Sequence, residues 1–138
     1  MSTNGADAPS AAELVEKLAQ LFNAGERDAA FDLLHPRFRI QQPESLPHGG
    51  WHDGREGMAR MGTIFGRYWD RTITNPRILA CGPCAVQVTT QTWTAKDTGR
   101  SATVDVAELF SVADGLISEI RVFQQDTHLL LETLRGEQ

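Results

Sequence analysis

Val104-Asp105-Val106-Ala107-Glu108-Leu109-Phe110-Ser111-Val112 alternates with a period of two, the repeat of a strand that buries one face. Val104, Val106, Phe110 and Val112 share that face, and Glu108 is its single polar member. Removing a carboxylate from water disfavours its charged form, so Glu108 must be paired, hydrated or held protonated. The fold therefore has to supply either a partner for this side chain or a pocket that uses it.

The same alternation recurs on both sides. Ile73 to Leu79, Ala85 to Thr94, Ser101 to Val112 and Leu116 to Gln125 read as strands, joined at Gly82-Pro83, Asp97-Thr98-Gly99 and Asp114-Gly115. Each junction carries turn chemistry, so the run predicts an antiparallel meander. Cys81-Gly-Pro-Cys84 matches a thioredoxin-type redox motif. A low-pKa thiolate there would need a helix N-terminus after the first cysteine, whereas strands flank this tetrapeptide and favour a hairpin turn. A lone pair of cysteines supplies only half a zinc site.

Upstream the period changes. Ser10-Ala-Ala-Glu13 fits a capping box, and Leu14, Leu18, Leu21 and Phe22 follow at helical spacing up to Gly25, a plausible left-handed stop. A short helix is expected over Asp28 to Leu34, ended by His35-Pro36, and then a strand around Phe38 and Ile40. Glu44 to Gly54 reads as a loop holding His48, Trp51 and His52, a candidate lid. Arg55 to Trp69 predicts a third helix with Met58, Met61, Phe65 and Tyr68 or Trp69 inward, while Gly62 and Gly66 allow close packing. Asp126 to Leu134 predicts a closing turn of helix, with Leu129, Leu130 and Leu134 packing back. Helices followed by antiparallel strands define an α+β protein: a strongly bent sheet wrapped on three helices as a cone with one open end.

The 138 residues suit one domain, expected over residues 11–138 after a frayed tail of residues 1–10. A hydrophobic share of 41%, a charged share of 22% and no long apolar run exclude a membrane-spanning helix. MSTNGADAPS lacks the features of a secretory signal, so a cytoplasmic protein is expected. A formal net charge of -5 without a basic cluster argues against a nucleic-acid partner. The histidines have no metal-ligand spacing, so no metal is expected.

The order of elements, the Asn23-Ala-Gly-Glu26 turn, Leu46 to Met58 (LPHGGWHDGREGM) and Val106 to Phe123 (VAELFSVADGLISEIRVF) resemble the SnoaL-like proteins. These belong to the nuclear transport factor 2-like superfamily, with ketosteroid isomerase, limonene epoxide hydrolase and scytalone dehydratase. The resemblance implies the cone fold, a homodimer paired through the open face of the sheet, and no cofactor. It also implies a place for Glu108: where ketosteroid isomerase keeps a protonated oxyanion-hole aspartate. The isomerase's general base falls at Gln42 and its catalytic tyrosine at Leu18; the hydrolase's arginine and first aspartate fall at Thr89 and Gln91. The last-strand aspartate of the hydrolase and the cyclases falls near Val122 or Phe123, leaving Asp126 as the nearest carboxyl. No known catalytic set of the superfamily is intact.

Glu108 could equally be paired with an arginine or simply face water in a cavity. Asp126, ahead of Thr127 and three leucines, reads as an N-cap as well as a possible acid or base. His48, beside two glycines, could act as a base, or be a solvent-exposed or backbone-bonded histidine like His52. Gln91, Trp93, Trp51, Gln42, Tyr68, Trp69 and Gln124 are the expected lining for a small apolar or cyclic ligand. The leading expectation is a cofactor-independent enzyme of isomerase or lyase type, moving a proton next to a carbonyl with Glu108, Asp126 and His48 as its acid–base groups. The alternative is a non-catalytic binding or accessory domain of the same fold.

Overall fold

In the computed structural model, which describes residues 9–135, the alternation around Glu108 is the fifth of six strands. The order is α1 (Ala11–Asn23), α2 (Arg27–Phe31), β1 (Leu34–Gln42), β2 (Gly50–Asp53), α3 (Gly54–Tyr68), β3 (Trp69–Cys81), β4 (Cys84–Ala95), β5 (Ser101–Ala113), β6 (Leu116–Gln124) and α4 (Thr127–Glu132). The strands form one sheet ordered β2-β1-β6-β5-β4-β3, in which only β1 and β6 run parallel. The sheet curls without closing, so β2 and β3 remain its edges. Of the expected tail, residues 1–8 lie outside the described residues.

The capping box at α1 forms in both directions. The Glu13 N–H donates to Ser10 Oγ at 3.1 Å and the Ser10 N–H donates to Glu13 Oε1 at 2.8 Å, a cap worth about 1 kcal/mol. Leu14, Val15 and Leu18 bury one stripe of the helix in the core, and Gly25 ends the segment at φ +77°.

The second helix is shorter than its sequence suggests, and His35-Pro36 lies inside β1 rather than at a helix end. Leu34 pairs with Ile117, and the next β1–β6 pair is Arg39 with Glu119. Pro36 sits in that irregular gap, where its missing N–H removes no ladder bond. The segment read as a loop contains β2, which pairs antiparallel with β1.

β3 begins at Trp69, so this tryptophan is a strand residue and not the end of α3. Asn75, at φ +56°, marks a bulge between Thr74 and Arg77. The Cys81–Cys84 pair closes a hairpin through Gly82 and Pro83. On the concave side lie Trp69 and Trp93, Val104, Val106, Phe110, Ile117, Ile120, Phe38 and Ile40, all buried. α1 packs its apolar stripe on them, as do Met58, Met61 and Phe65 of α3.

A Cβ on Gly62 or Gly66 would touch nothing, so neither is the close-packing glycine. That position is Gly57, where a Cβ would lie 2.9 Å from the His52 carbonyl carbon. At the C-terminal end Leu130 is buried while Leu129 is exposed, contrary to the expectation that both pack inward. The Trp69 Nε1–H donates to Thr133 Oγ1 at 2.8 Å and fastens this end to the sheet.

Candidate functional site

Glu108 stands mid-sheet on the concave face, flanked by Gln87 of β4 and Val122 of β6 and by Val106 and Phe110 along its own strand. Among the described residues no cation lies within 4.0 Å of its carboxylate. Glu108 keeps intermediate exposure although protein surrounds its carboxyl. We attribute that exposure to the hollow of the sheet. Burial raises its pKa above the usual carboxylate value, and the positive charge of Arg71 pulls it partly back.

Arg71 is the functional candidate that the sequence did not reveal. It lies on β3 opposite Trp93, with its guanidinium 4.9 Å from the centre of the Phe65 ring, a cation–π distance. The surrounding protein lowers its own pKa, and Glu108 opposes that shift. Much of the residue still meets solvent, so the guanidinium stays charged. The alternation of Trp69, Arg71 and Ile73 is the signal in the sequence, hidden because Trp69 also fits the helical spacing of Met58, Met61 and Phe65.

His48 is buried in an aromatic box, its ring centre 5.3 Å from Phe65, 5.9 Å from Trp93 and 6.1 Å from Trp69. Burial, then the charge of Arg71, then His52 lower its pKa to about 4, so the imidazole is neutral at physiological pH. Its Nδ1 has no hydrogen-bond partner among the described residues. Gly49 holds the turn, because a Cβ there would collide with the Pro43 and Glu44 backbone. The His52 Nε2–H donates to the His48 carbonyl oxygen at 2.8 Å, which makes His52 a structural clamp.

The floor of the concavity is a polar ladder along β4. The Trp93 Nε1–H donates to Gln91 Oε1 and the Gln91 amide donates to Thr89 Oγ1, each at 2.9 Å. Trp93 thus has no free donor, and its buried ring packs on His48, Phe65 and Trp69. Gln42 donates its amide to Met61 Sδ at 3.3 Å, and its Oε1 is buried without a partner, as is Gln124 Oε1.

Four expected site residues lie elsewhere or are otherwise engaged. Trp51 is opposite Gln41 on the outer face of the sheet, with the Arg39 guanidinium 4.0 Å above its ring. Residue parity decides this, since His52 takes the inner face. Tyr68 is exposed at the end of α3. Asp126 accepts the Leu129 N–H at 3.1 Å and caps α4. Trp69 does face the concavity, but its indole N–H is committed to Thr133.

Two surface clefts are prominent. One of about 410 Å³ lies at Leu34, His35, Pro36 and Asp53 to Glu56. The other, of about 350 Å³, lies across the ends of β1 and β6 and is bordered by Gln41 to Glu44, Arg121 to Gln124 and Thr127, so it takes in residues of both sheet faces. Glu108 lines neither, although its cross-strand neighbour Val122 borders the second.

A bent, open sheet wrapped around helices, with a carboxyl on its concave wall, defines the class of nuclear transport factor 2-like α+β cones. The family model of the SnoaL-like domain matches residues 15–120, and the chain belongs to that family. A nuclear transport factor 2-like protein of Burkholderia thailandensis superposes with a TM-score of 0.85 at 19% identity, covering 92% of this chain and 98% of that one. TerC, co-crystallized with polyporic acid, gives 0.79 at 19% identity over 90% and 97% of the two chains. A Pseudomonas putida protein assigned as a polyketide cyclase gives 0.74 at 17% identity over 91% and 98%. At these identities the likeness is one of fold. No curated protein matches the chain at a significant level.

Proposed function

We propose that this chain is a cofactor-independent enzyme that moves a proton on a carbon next to a carbonyl in a small cyclic or polyketide-like molecule. The observation that carries it is the uncompensated Glu108 carboxyl on an apolar concave wall, with Arg71 near enough to tune it. A carboxyl whose pKa is raised is a stronger base than an ordinary carboxylate, and more of it is protonated and ready to return a proton. In the proposed step the Glu108 carboxylate takes the proton from carbon, and the C–H electron pair moves through the carbonyl to leave an enolate oxygen. Arg71 offsets that charge, and the Glu108 carboxyl returns the proton to a second carbon. Neutral His48 stands by as the second polar group of the wall. Asp126 commits Oδ1 to the Leu129 N–H, which leaves Oδ2 as its free oxygen. Co-crystallization of TerC with polyporic acid supports a small-ligand site in this fold.

The test is exchange of α-protons of a panel of cyclic ketones in D₂O, followed by NMR. Wild type should accelerate exchange for at least one member, and Glu108→Gln should lose about 10²-fold or more of that rate while its melting temperature at neutral pH does not fall. Equal rates in the two proteins would defeat the assignment. A specific observation favours a second reading, a binding domain without turnover: neither prominent cleft reaches Glu108. A ligand retained in native mass spectrometry, with no exchange on any ketone, would select it.

The homodimer implied by the family has a physical counterpart on the outer sheet face. Leu79, Val86 and Leu109 form one cross-strand row, and Val88, Ala107 and Phe123 another. Leu79 is 66% and Phe123 49% exposed. Sedimentation at micromolar concentration should give a dimer that Leu109→Lys converts to monomer.

A further inference from the structure

We propose that the substrate offers a hydrogen-bond donor, a ring hydroxyl or an amide N–H, to Gln42, with Gln124 as the polar contact beside it. This deepens the acid–base reading and rests on it for calling the occupant a substrate.

Gln42 is 8% exposed, and its amide orientation is determined chemically. The thioether of Met61 has no hydrogen to give, so the group facing Sδ at 3.3 Å must be the amide N–H. Oε1 is therefore the other end, and it is buried without a donor among the described residues. Gln124 Oε1 is in the same condition.

The two side chains belong to the parallel pair β1 and β6, and Gln42 follows directly on the Gln41–Arg121 register pair. Arg121 does not relieve them: it pairs with Gln41 on the other face of the sheet, donating its Nε–H to Gln41 Oε1 at 3.0 Å, and it reaches neither amide oxygen. Glu44 is an acceptor, and the Thr127 hydroxyl reaches neither amide oxygen. Both glutamines line the cleft of about 350 Å³ that borders Val122, the residue opposite Glu108. A ring seated in this cleft meets Val122, the cross-strand partner of Glu108, and the soft terminal torsion of the amide lets Oε1 turn toward it.

A buried acceptor without a donor selects against ligands that bring only more acceptors. The probes are 2,6-dihydroxynaphthalene and 2,6-dimethoxynaphthalene, which share the ring and its oxygens and differ in the hydroxyl hydrogens. Calorimetric titration of the full chain should show the diol bound about tenfold more tightly, the scale of one net hydrogen bond. Gln42→Leu should erase the preference, Gln42→Glu should retain it, and the unliganded melting temperature of Gln42→Leu should be equal or higher. Equal affinities, absence of binding by both probes, or a preference that survives Gln42→Leu would overturn the proposal. A drop in the unliganded melting temperature of Gln42→Leu would also overturn it, since it would mean that water already satisfies Oε1. Preference should persist in Glu108→Gln. Its presence there without proton exchange in wild type would retire the acid–base reading alone, and exchange without preference would retire this one alone.

Discussion

Arg71 and Glu108 project from the same concave face with β4 between them, and they feel each other's charge without closing an ion pair within 4.0 Å. A direct pair would have locked Glu108 as a carboxylate. Separation leaves its proton available. Arg71→Leu should therefore raise the Glu108 pKa further, as followed by ¹³C NMR of the side-chain carboxyl. An unchanged titration would remove Arg71 from the site.

Because the folded pKa of Glu108 lies above the unfolded one, the folded chain holds more protons between the two values. Stability then falls as pH rises from the unfolded value through the folded one, by about 1.4 kcal/mol for each tenfold change in acidity. Glu108→Gln, which carries no charge, should be more stable than wild type at neutral pH, and the gap should close toward pH 4. Urea unfolding across pH checks both the sign and the convergence.

His48 works in the opposite direction. Its folded pKa, about 4, lies below the usual 6.5, so the unfolded chain binds the extra proton. Stability contributed by the neutral ring is complete above about pH 6.5 and is lost as pH falls through 4, an effect on the order of 3 kcal/mol. His48→Phe, which suits the aromatic box of Phe65, Trp69 and Trp93, should flatten this part of the pH profile. A profile that keeps its slope would place the titration elsewhere.

The strands that bury one face were legible because a period of two admits no slip: Gln91, Trp93, Val104, Val106 and Glu108 all face the concavity, as their spacing required. The capping box and Gly25 were equally plain, since each depends on chemistry within four residues. What the sequence concealed depended on pairing. β2 has only four residues and no alternation of its own, and its register with β1 alone decides that Trp51 points out and His52 in. Arg71 was concealed by the unbroken passage from α3 into β3, where no glycine or proline marks the change at Trp69. His35-Pro36 misled for the converse reason: a proline that ends most helices is tolerated in a strand beside an irregular pair.

The Trp69–Thr133 hydrogen bond joins the first residue of β3 to the C-terminal end of α4, and the Thr133 hydroxyl in turn donates to the Leu130 carbonyl at 2.6 Å. Thr133→Val keeps the shape and orphans a buried indole N–H, which should cost about 1–3 kcal/mol. Thr133→Ser should restore most of that. Urea midpoints of the three proteins decide the matter, and equal midpoints for Val and Ser would assign the contact no net worth.

Two glycines of α3 should answer alanine with opposite signs. At Gly62 a Cβ meets nothing within 4 Å, so Gly62→Ala should gain about 0.5–1 kcal/mol from helix propensity. At Gly57 the Cβ would stand 2.9 Å from the His52 carbonyl carbon and 3.2 Å from its Cβ. Backbone cannot yield as a flexible side chain can, so α3 must lift from β2, at a cost of about 1–3 kcal/mol. That displacement loosens His52, whose Nε2–H clamps the His48 carbonyl, and with it the wall facing Arg71. Thermal melts of both variants test the sign. The His48 pKa in Gly57→Ala tests the transmission, rising from about 4 toward 6.5 if the box opens.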